Sequence, residues 1–488
     1  MMFDVIRHSL LFAMDTASKK ASAEGRSVLA VASTPVPHAD LLSIFARYSR
    51  QDDVSLWLGL AGRSILGVGS AMECLGLNSS RFSTVSSEWH AAIDGAVVIG
   101  GIAPFALGGF RFDPDCNISP MWKNFKDGAL SIPRLAVLHL EDGGCHVVAA
   151  DYVPPHADLV GRFERIVSLW KNRDSIAGSA PLAQPVLLES EKEKHRWHTL
   201  VHAALRDISQ GKTRKIVAAR MLRVKADVPF TVPAIVQRLK VDNPKAALFA
   251  FGRKGVYFIG ATPEVLLAAN AGVFRTMALA GSAPRSGDPA LDAAFGQGLL
   301  ASEKERQEHD FVVQAVSQAL RSRCRCIAMD ASPSLHKLKS VQHLVTHFEG
   351  EIMHPYNILD IIEHLHPTPA VGGVPCNSAL EFLRTHEGFD RGWYAGPVGW
   401  LDALGNGEFM VSLRSGIIDG RSAALFAGCG LVAGSDPEKE YRETQLKFST
   451  MLDGVCPEWK KISQCAMKIE DSFRGEKKRI VSIVASCT

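Results

Sequence analysis

Two turn signals, far apart in the chain, most constrain what it can fold into. Ser412–Ile418 and Ala423–Phe426 flank Asp419-Gly420, a pair that accepts the positive φ of a tight hairpin turn. Leu248–Phe251 and Val256–Ile259 flank Arg253-Lys254-Gly255 in the same way. Between and after them lie patterns of helical period, Ser302–Leu320 and roughly Glu438–Leu452. Earlier, Trp197, Leu200, Val201, Ala204 and Ile208 share a helical face, Gly211 supplies a stop, and Lys215–Val224 reads as a strand. Hairpin strands mixed with long helices predict an α+β protein with largely antiparallel sheet.

Length and composition narrow the function classes. A chain of 488 residues corresponds to about three domain-sized units or one large two-part domain. With 47% hydrophobic and 22% charged residues it is globular, not disordered or collagen-like. The formal charge of +3 is too near balance for a nucleic-acid coat. Residues 456–488 hold seven Lys/Arg and four Asp/Glu, leaving 47 of each in residues 1–455. The main body is therefore neutral, and the tail reads as a frayed terminus in preference to a docking segment. Gly95–Phe110, the least polar stretch, is broken by glycines and Pro104 and is too short to span a membrane. The short apolar run His8–Met14 has no cleavage site after it. Ten scattered cysteines lack a zinc or disulfide framework and read as reduced thiols of a cytoplasmic protein. Asp174–Glu193, with its Ser-Ala-Pro-Leu-Ala-Gln-Pro and charged run, reads as a linker or long surface loop.

Several segments carry candidate chemistry. Glu308 ends an apolar helical stripe with Val312, Ala315 and Ala319, either as a solvated rim charge or as a ligand aimed into a pocket. Glu440, Glu443 and Lys447 share one helix face, as a surface salt-bridge ladder also would. The glycine-rich segment before them, from Ala427 to Pro437, lets backbone amides approach an anion, with Ser435 or Asp436 as helix cap. Acids of this kind favour Mg²⁺. Lys215 is a strand-edge lysine in water or, in a closed pocket, a base. Glu264, in Gly-Ala-Thr-Pro-Glu, is a helix-turn acid or, if buried, a carboxyl with a raised pKa. Histidines from His343 to His366 form no metal signature.

In order, the chain contains Lys-Ile-Val-Ala-Ala-Arg from Lys215, Gly-Ala-Thr-Pro-Glu from Gly260, Ala-Leu-Ala-Gly-Ser from Ala278 and Ser-Glu-Lys-Glu-Arg-Gln-Glu-His from Ser302. Val-Gln-His-Leu from Val341, His-Pro-Thr-Pro-Ala-Val-Gly-Gly from His366, Asp-Arg-Gly-Trp-Tyr-Ala-Gly-Pro-Val-Gly-Trp from Asp390 and Ser-Leu-Arg-Ser from Ser412 follow. Over about residues 200–452 this series resembles the chorismate-utilising enzymes, and within them isochorismate synthase. Gly-Gly-Phe-Arg-Phe-Asp-Pro from Gly108 also looks family-like but carries no clear chemistry.

The resemblance implies a large single α+β domain of two stacked, largely antiparallel sheets with helices outside and the site in a central cleft. Residues 1–190 would be its N-terminal part with linker, 191–455 the chorismate-binding catalytic region, and 456–488 a basic tail. It implies chorismate as substrate, Mg²⁺ as cofactor, no nucleic-acid or membrane partner, and room for a downstream isochorismate-consuming enzyme as partner. Lys215 looks like the base that activates water, and Glu264 like the acid that protonates the departing hydroxyl. Glu308, Glu440 and Glu443 look like metal ligands. Tyr394, Arg414, the Gly430 backbone and Lys447 look like carboxylate holders, with His343 and Ala370 near the ring. Ala280 stands where aminodeoxychorismate synthases resembling this chain place a nucleophilic lysine. Lys215 favours water over ammonia, and Ala370 fits enzymes that stop at isochorismate better than salicylate synthases, the alternative reading. A non-catalytic relative would be expected to lack one of these groups.

Overall fold

A computed structural model describes residues 2–60, 63–171, 184–188, 191–339 and 341–459. Its strands form two hydrogen-bonded layers that share the long strands Ser64–Gly76 and Gly128–His139. The first layer runs Val97–Ile99, Val28–Pro35, Cys145–Val153, Gly128–His139, Ser64–Gly76, Asp53–Leu58, Ala247–Arg253, Val256–Thr262, Ser415–Asp419, Ser422–Leu431 and Lys215–Ala226. The second leaves the first half of Gly128–His139 and runs Phe105–Phe110, Pro397–Asp402, Gly407–Val411, Val265–Asn270, Val273–Pro284 and Val341–Ile352. The pairings are antiparallel except Val28–Pro35 with Val97–Ile99. The two expected sheets are thus joined through shared strands.

Burial on both faces explains the apolar density of these strands. In Ala247–Arg253, Phe249 and Phe251 enter a core reached by both layers, while Leu248 and Ala250 enter a second core on the opposite face. That second core is closed by helices including Met2–Glu24, Val232–Asp242 and Pro437–Val455. The His8–Met14 run lies inside the first of these, with Leu10, Ala13 and Met14 fully buried.

Both predicted hairpins form, with one difference. The strand before Asp419-Gly420 begins at Ser415, not Ser412, because Arg414 adopts φ +48°, outside the β region. The described residues of the expected loop Asp174–Glu193 include regular structure. Pro185–Leu187 pairs with Val224–Ala226, and Glu191 opens the helix Glu191–Ser209. Its residues 174–183, 189 and 190 lie outside the described part, as does the tail beyond Trp459. Trp459 itself packs on the second core, and its indole donates to Asp453. No helix among the described residues is long and apolar enough to cross a membrane, and the eight described cysteines are free thiols.

Candidate active site

The cavity that gathers the sequence-predicted residues lies at the Lys215 end of the first layer. Glu264, Glu308, His343, Ala370, Tyr394, Arg414, Gly430, Glu443 and Lys447 line it. Lys215 and Glu440, both buried, are not among the residues that line it. Lys215 is fully buried, so it is not a strand-edge lysine in water. It opens the strand Lys215–Ala226, and its neighbour Ile216 pairs with Leu431, beside Gly430.

A side chain at position 430 would push the Glu308 carboxylate aside. A Cβ there would fall 2.2 Å from Glu308 Oε1 and 3.0 Å from Lys215 Cε. Those two side chains make an ion pair, Lys215 Nζ to Glu308 Oε1 at 3.0 Å. Glu308 is therefore no rim charge; it projects from the helix Glu303–Arg321, capped by Ser302, onto the glycine-rich strand.

Glu264 follows the strand Val256–Thr262 and is not part of a helix turn. Its amide hydrogen-bonds the Thr262 hydroxyl and its carbonyl accepts from the Val411 amide, which fixes the backbone. Burial pushes its carboxyl up to about 7, against the pull of Lys215, Arg414 and Lys447. Protonated and ionised forms are then both accessible near neutral pH.

Tyr394 and Arg414 come from neighbouring loops tied together by Ser412. That fully buried hydroxyl bonds the carbonyls of Trp393 and Gly396, and the Ala395 amide donates to the Ser412 carbonyl. Tyr394 stacks on Phe426 with ring centroids 5.0 Å apart. Arg414 approaches His343 Nε2 at 3.5 Å. His343 Nδ1 lies 3.1 Å from the Gly281 carbonyl and 3.0 Å from the Ser282 hydroxyl. Burial, then Arg414 and Lys447, hold this imidazole well below its usual pKa, so it is neutral. Its partners sit at a β-bulge at Gly281, φ +76°, which re-aims Ser282. Ala280 lines the cavity, so that wall carries no amine.

The helix Pro437–Val455 is capped by Asp436, while Ser435 accepts from the Val432 amide. The three predicted metal ligands are not drawn into one cluster: among the described residues no three His, Cys, Asp or Glu side chains stand together closely enough to hold an ion. Each carboxylate instead meets a lysine. Glu308 pairs with Lys215, Glu443 with Lys447 at 2.5 Å, and Glu440 with Lys304 at 3.4 Å. The acids nevertheless feel one another. Burial and then Glu443 raise Glu440, and burial and then Glu308 push Glu305 up to about 7. The donor chemistry, carboxylate oxygens alone, is the kind a hard divalent cation takes, and holding one requires these carboxylates to leave their lysines and converge.

Sequence reasoning missed Glu305, Lys304 and Arg391. Glu305 accepts from the Ser282 amide at 3.1 Å; its spacing of three from Glu308 was the available signal. Arg391 forms a buried pair with Glu387 at 2.6 Å and donates to the carbonyls of Val217 and Val371. Glu387 also accepts from the Ala219 amide. The Lys215 strand, the Ala370 loop and the Tyr394 loop are thereby held together. Arg111, in the segment without evident chemistry, is fully buried and bonds Asp390 at 2.9 Å, anchoring the same loop.

Comparison with known proteins places the whole chain in a family. A sequence profile described as "Chorismate binding enzyme" matches residues 16–456. The Pseudomonas aeruginosa "Salicylate biosynthesis isochorismate synthase" is 37% identical over 453 residues, covering 92% of this chain and 94% of that protein. The Bacillus subtilis "Isochorismate synthase MenF" is 34% identical over 387 residues, 78% of this chain and 82% of that protein. The solved structure of MenF, the menaquinone-specific isochorismate synthase from Escherichia coli, shares the fold with a TM-score of 0.74 at 24% identity, covering 92% of this chain and all of that one. A putative 2,3-dihydroxybenzoate-specific isochorismate synthase from Bacillus anthracis, DhbC, aligns at a TM-score of 0.68 and 26% identity, over 85% and 98% of the two chains. The profile spans more than nine-tenths of the body that the two layers and their helices build, and the chain belongs to the chorismate binding enzyme family.

Proposed function

We propose that the protein is an isochorismate synthase, which converts chorismate to isochorismate. With its pairing to Glu308 released, Lys215 acts as the neutral amine and takes a proton from water as the water oxygen bonds to ring carbon 2. The ring double bonds shift, the bond from carbon 4 to its hydroxyl breaks, and Glu264 protonates the leaving oxygen, so one water is consumed and one released. Lys215 ends protonated and Glu264 ionised, and proton exchange with solvent resets both. Each group answers a chemical need: water is a weak nucleophile until deprotonated, and hydroxide leaves poorly unless protonated.

Arg414, Lys447, Tyr394 and the Gly430 backbone hold the substrate's carboxylates, with Arg414 suited to bidentate contact. Neutral His343 and small Ala370 border the ring. Glu308 and Glu443, with Glu440 directly or through water, would hold Mg²⁺, which when bound neutralises the ring carboxylate and withdraws charge from it. The single observation that carries the reading is Glu264, buried in a cavity that Arg414 and Lys447 also line and pushed up to about 7. The near-full-length likeness to the Pseudomonas aeruginosa relative supports a place in salicylate biosynthesis, with a second enzyme consuming isochorismate in the cytoplasm. Turnover in ¹⁸O-labelled water tests the chemistry. The product should carry one ¹⁸O at carbon 2; unlabelled isochorismate would exclude attack by solvent water.

A further inference from the structure

A second cavity adjoins the active site, and the function proposed above does not use it. Pro263 and Arg414 line both cavities. The second is also lined by Lys245, Arg285, Lys337 and Lys339, set among Asp242 and apolar residues such as Leu338, Val341 and Leu446. These cations are graded in depth: Lys245 and Lys339 are exposed, Arg285 and Lys337 half-buried, and Arg414 only 9% exposed. Acids offset part of the charge. Asp292 takes Arg285 at 2.6 Å and Lys337 at 3.0 Å, and Lys339 meets Asp242 at 3.1 Å and Asp453 at 3.2 Å. With Arg414 counted, five cations face three carboxylates. Arg414 stands where the cavities meet, held at φ +48°, a conformation unusual for a side chain of its size.

We propose that this chamber is the route by which a small dicarboxylate dianion reaches the active site, passing from the exposed lysines to the half-buried pair and on to Arg414. The inference rests on the proposed function, because only an anionic substrate needs such a path. The rest of the molecule offers little steering. Residues 1–455 balance 47 basic against 47 acidic groups, so attraction must be local, where low-dielectric walls focus the field. Cations of decreasing exposure, in net excess over their carboxylates and ending on a group shared with the site, are what a route requires. An isolated effector pocket would need no shared arginine.

The test is stopped-flow association of chorismate with the full-length Mg²⁺-loaded enzyme, read by intrinsic tryptophan fluorescence, with equilibrium stoichiometry alongside. In Lys245→Glu and Lys337→Glu, association should slow about tenfold at low ionic strength, and the gap should close near about 0.5 M salt. Lys245→Gln and Lys337→Gln should show a smaller slowing of the same kind and cover any folding defect of the reversals. Lys19→Glu on the outer N-terminal helix, the same charge change elsewhere, should leave the rate unchanged. One bound chorismate with slowed association supports the route. Association at the wild-type rate in all chamber variants overturns it, as does a second bound chorismate lost in those variants without any change in association. A wild-type enzyme that binds and turns over chorismate while the variants match it leaves the proposed function standing and the route excluded. A wild type that does not bind chorismate excludes both.

Discussion

Glu308 Oε1 lies 3.0 Å from Lys215 Nζ, and a single methyl group on residue 430 would fall 2.2 Å from that same oxygen. The proposed base, a proposed metal ligand and the glycine-rich strand are thus packed as one unit. A change at one of the three is felt first at the Glu308 carboxylate, which touches the other two.

Gly430→Ala should therefore damage the site more than the fold. Displacing Glu308 and Lys215 by about 1 Å should lower kcat by about 100-fold, and isothermal titration should show weaker Mg²⁺ binding. Circular dichroism should remain that of the wild type. Normal activity in a folded Gly430→Ala enzyme would contradict the packing.

Lys215→Met leaves a buried carboxylate without its cation, a change worth about 3–5 kcal/mol in apo protein. Turnover should be lost while substrate still binds. The fall in Tm should shrink when Mg²⁺ is saturating, because the metal would then compensate Glu308. An equal loss with and without metal would separate Glu308 from the metal site.

Glu264 must be protonated to act as an acid. With its carboxyl pushed up to about 7, kcat should fall as pH rises through that value. Glu264→Gln should cost about 10²–10⁴-fold and abolish this limb. The linked stability effect has the opposite sign to that of a salt-bridged acid. Between the usual value of 4.5 and about 7 the folded state holds a proton that the unfolded state has released, so stability drains away as pH rises across that window. Apo Glu264→Gln should consequently be more stable than wild type at pH 8 by thermal denaturation, and that gain should vanish below pH 4.5.

The Arg391–Glu387 pair is buried on both sides, 5% and 3% exposed. Arg391→Met should destabilise the protein by about 3–5 kcal/mol in urea titration. Since the pair carries the Val217 and Val371 contacts, a cost under about 1 kcal/mol would mean that it does not anchor these segments.

Much of this was legible because the chemistry is written in short segments. Lys215, Glu264, Glu308 and the Glu440–Lys447 face each sit in a distinct local pattern, and the hairpin turns announced the antiparallel sheet. What local patterns could not convey was partnership across the fold. Lys304 meets Glu440 across 136 residues and Arg111 meets Asp390 across 279; no periodicity encodes either. Burial was equally hidden. Lys215 alone reads as a surface lysine, and only the pairing of its strand with Ser422–Leu431 puts it under Gly430. Pro185–Leu187 looked like loop because proline and small residues surround it, yet an open strand edge at Val224–Ala226 recruits it. Arg414 broke its expected strand through a backbone angle that side-chain pattern does not specify.

The central claim is tested most directly by incubating purified protein with chorismate, with and without Mg²⁺, and resolving the products by chromatography. The account predicts isochorismate, formed only with the metal and without matching pyruvate. Salicylate and pyruvate at comparable rates, or no metal-dependent turnover, would contradict it.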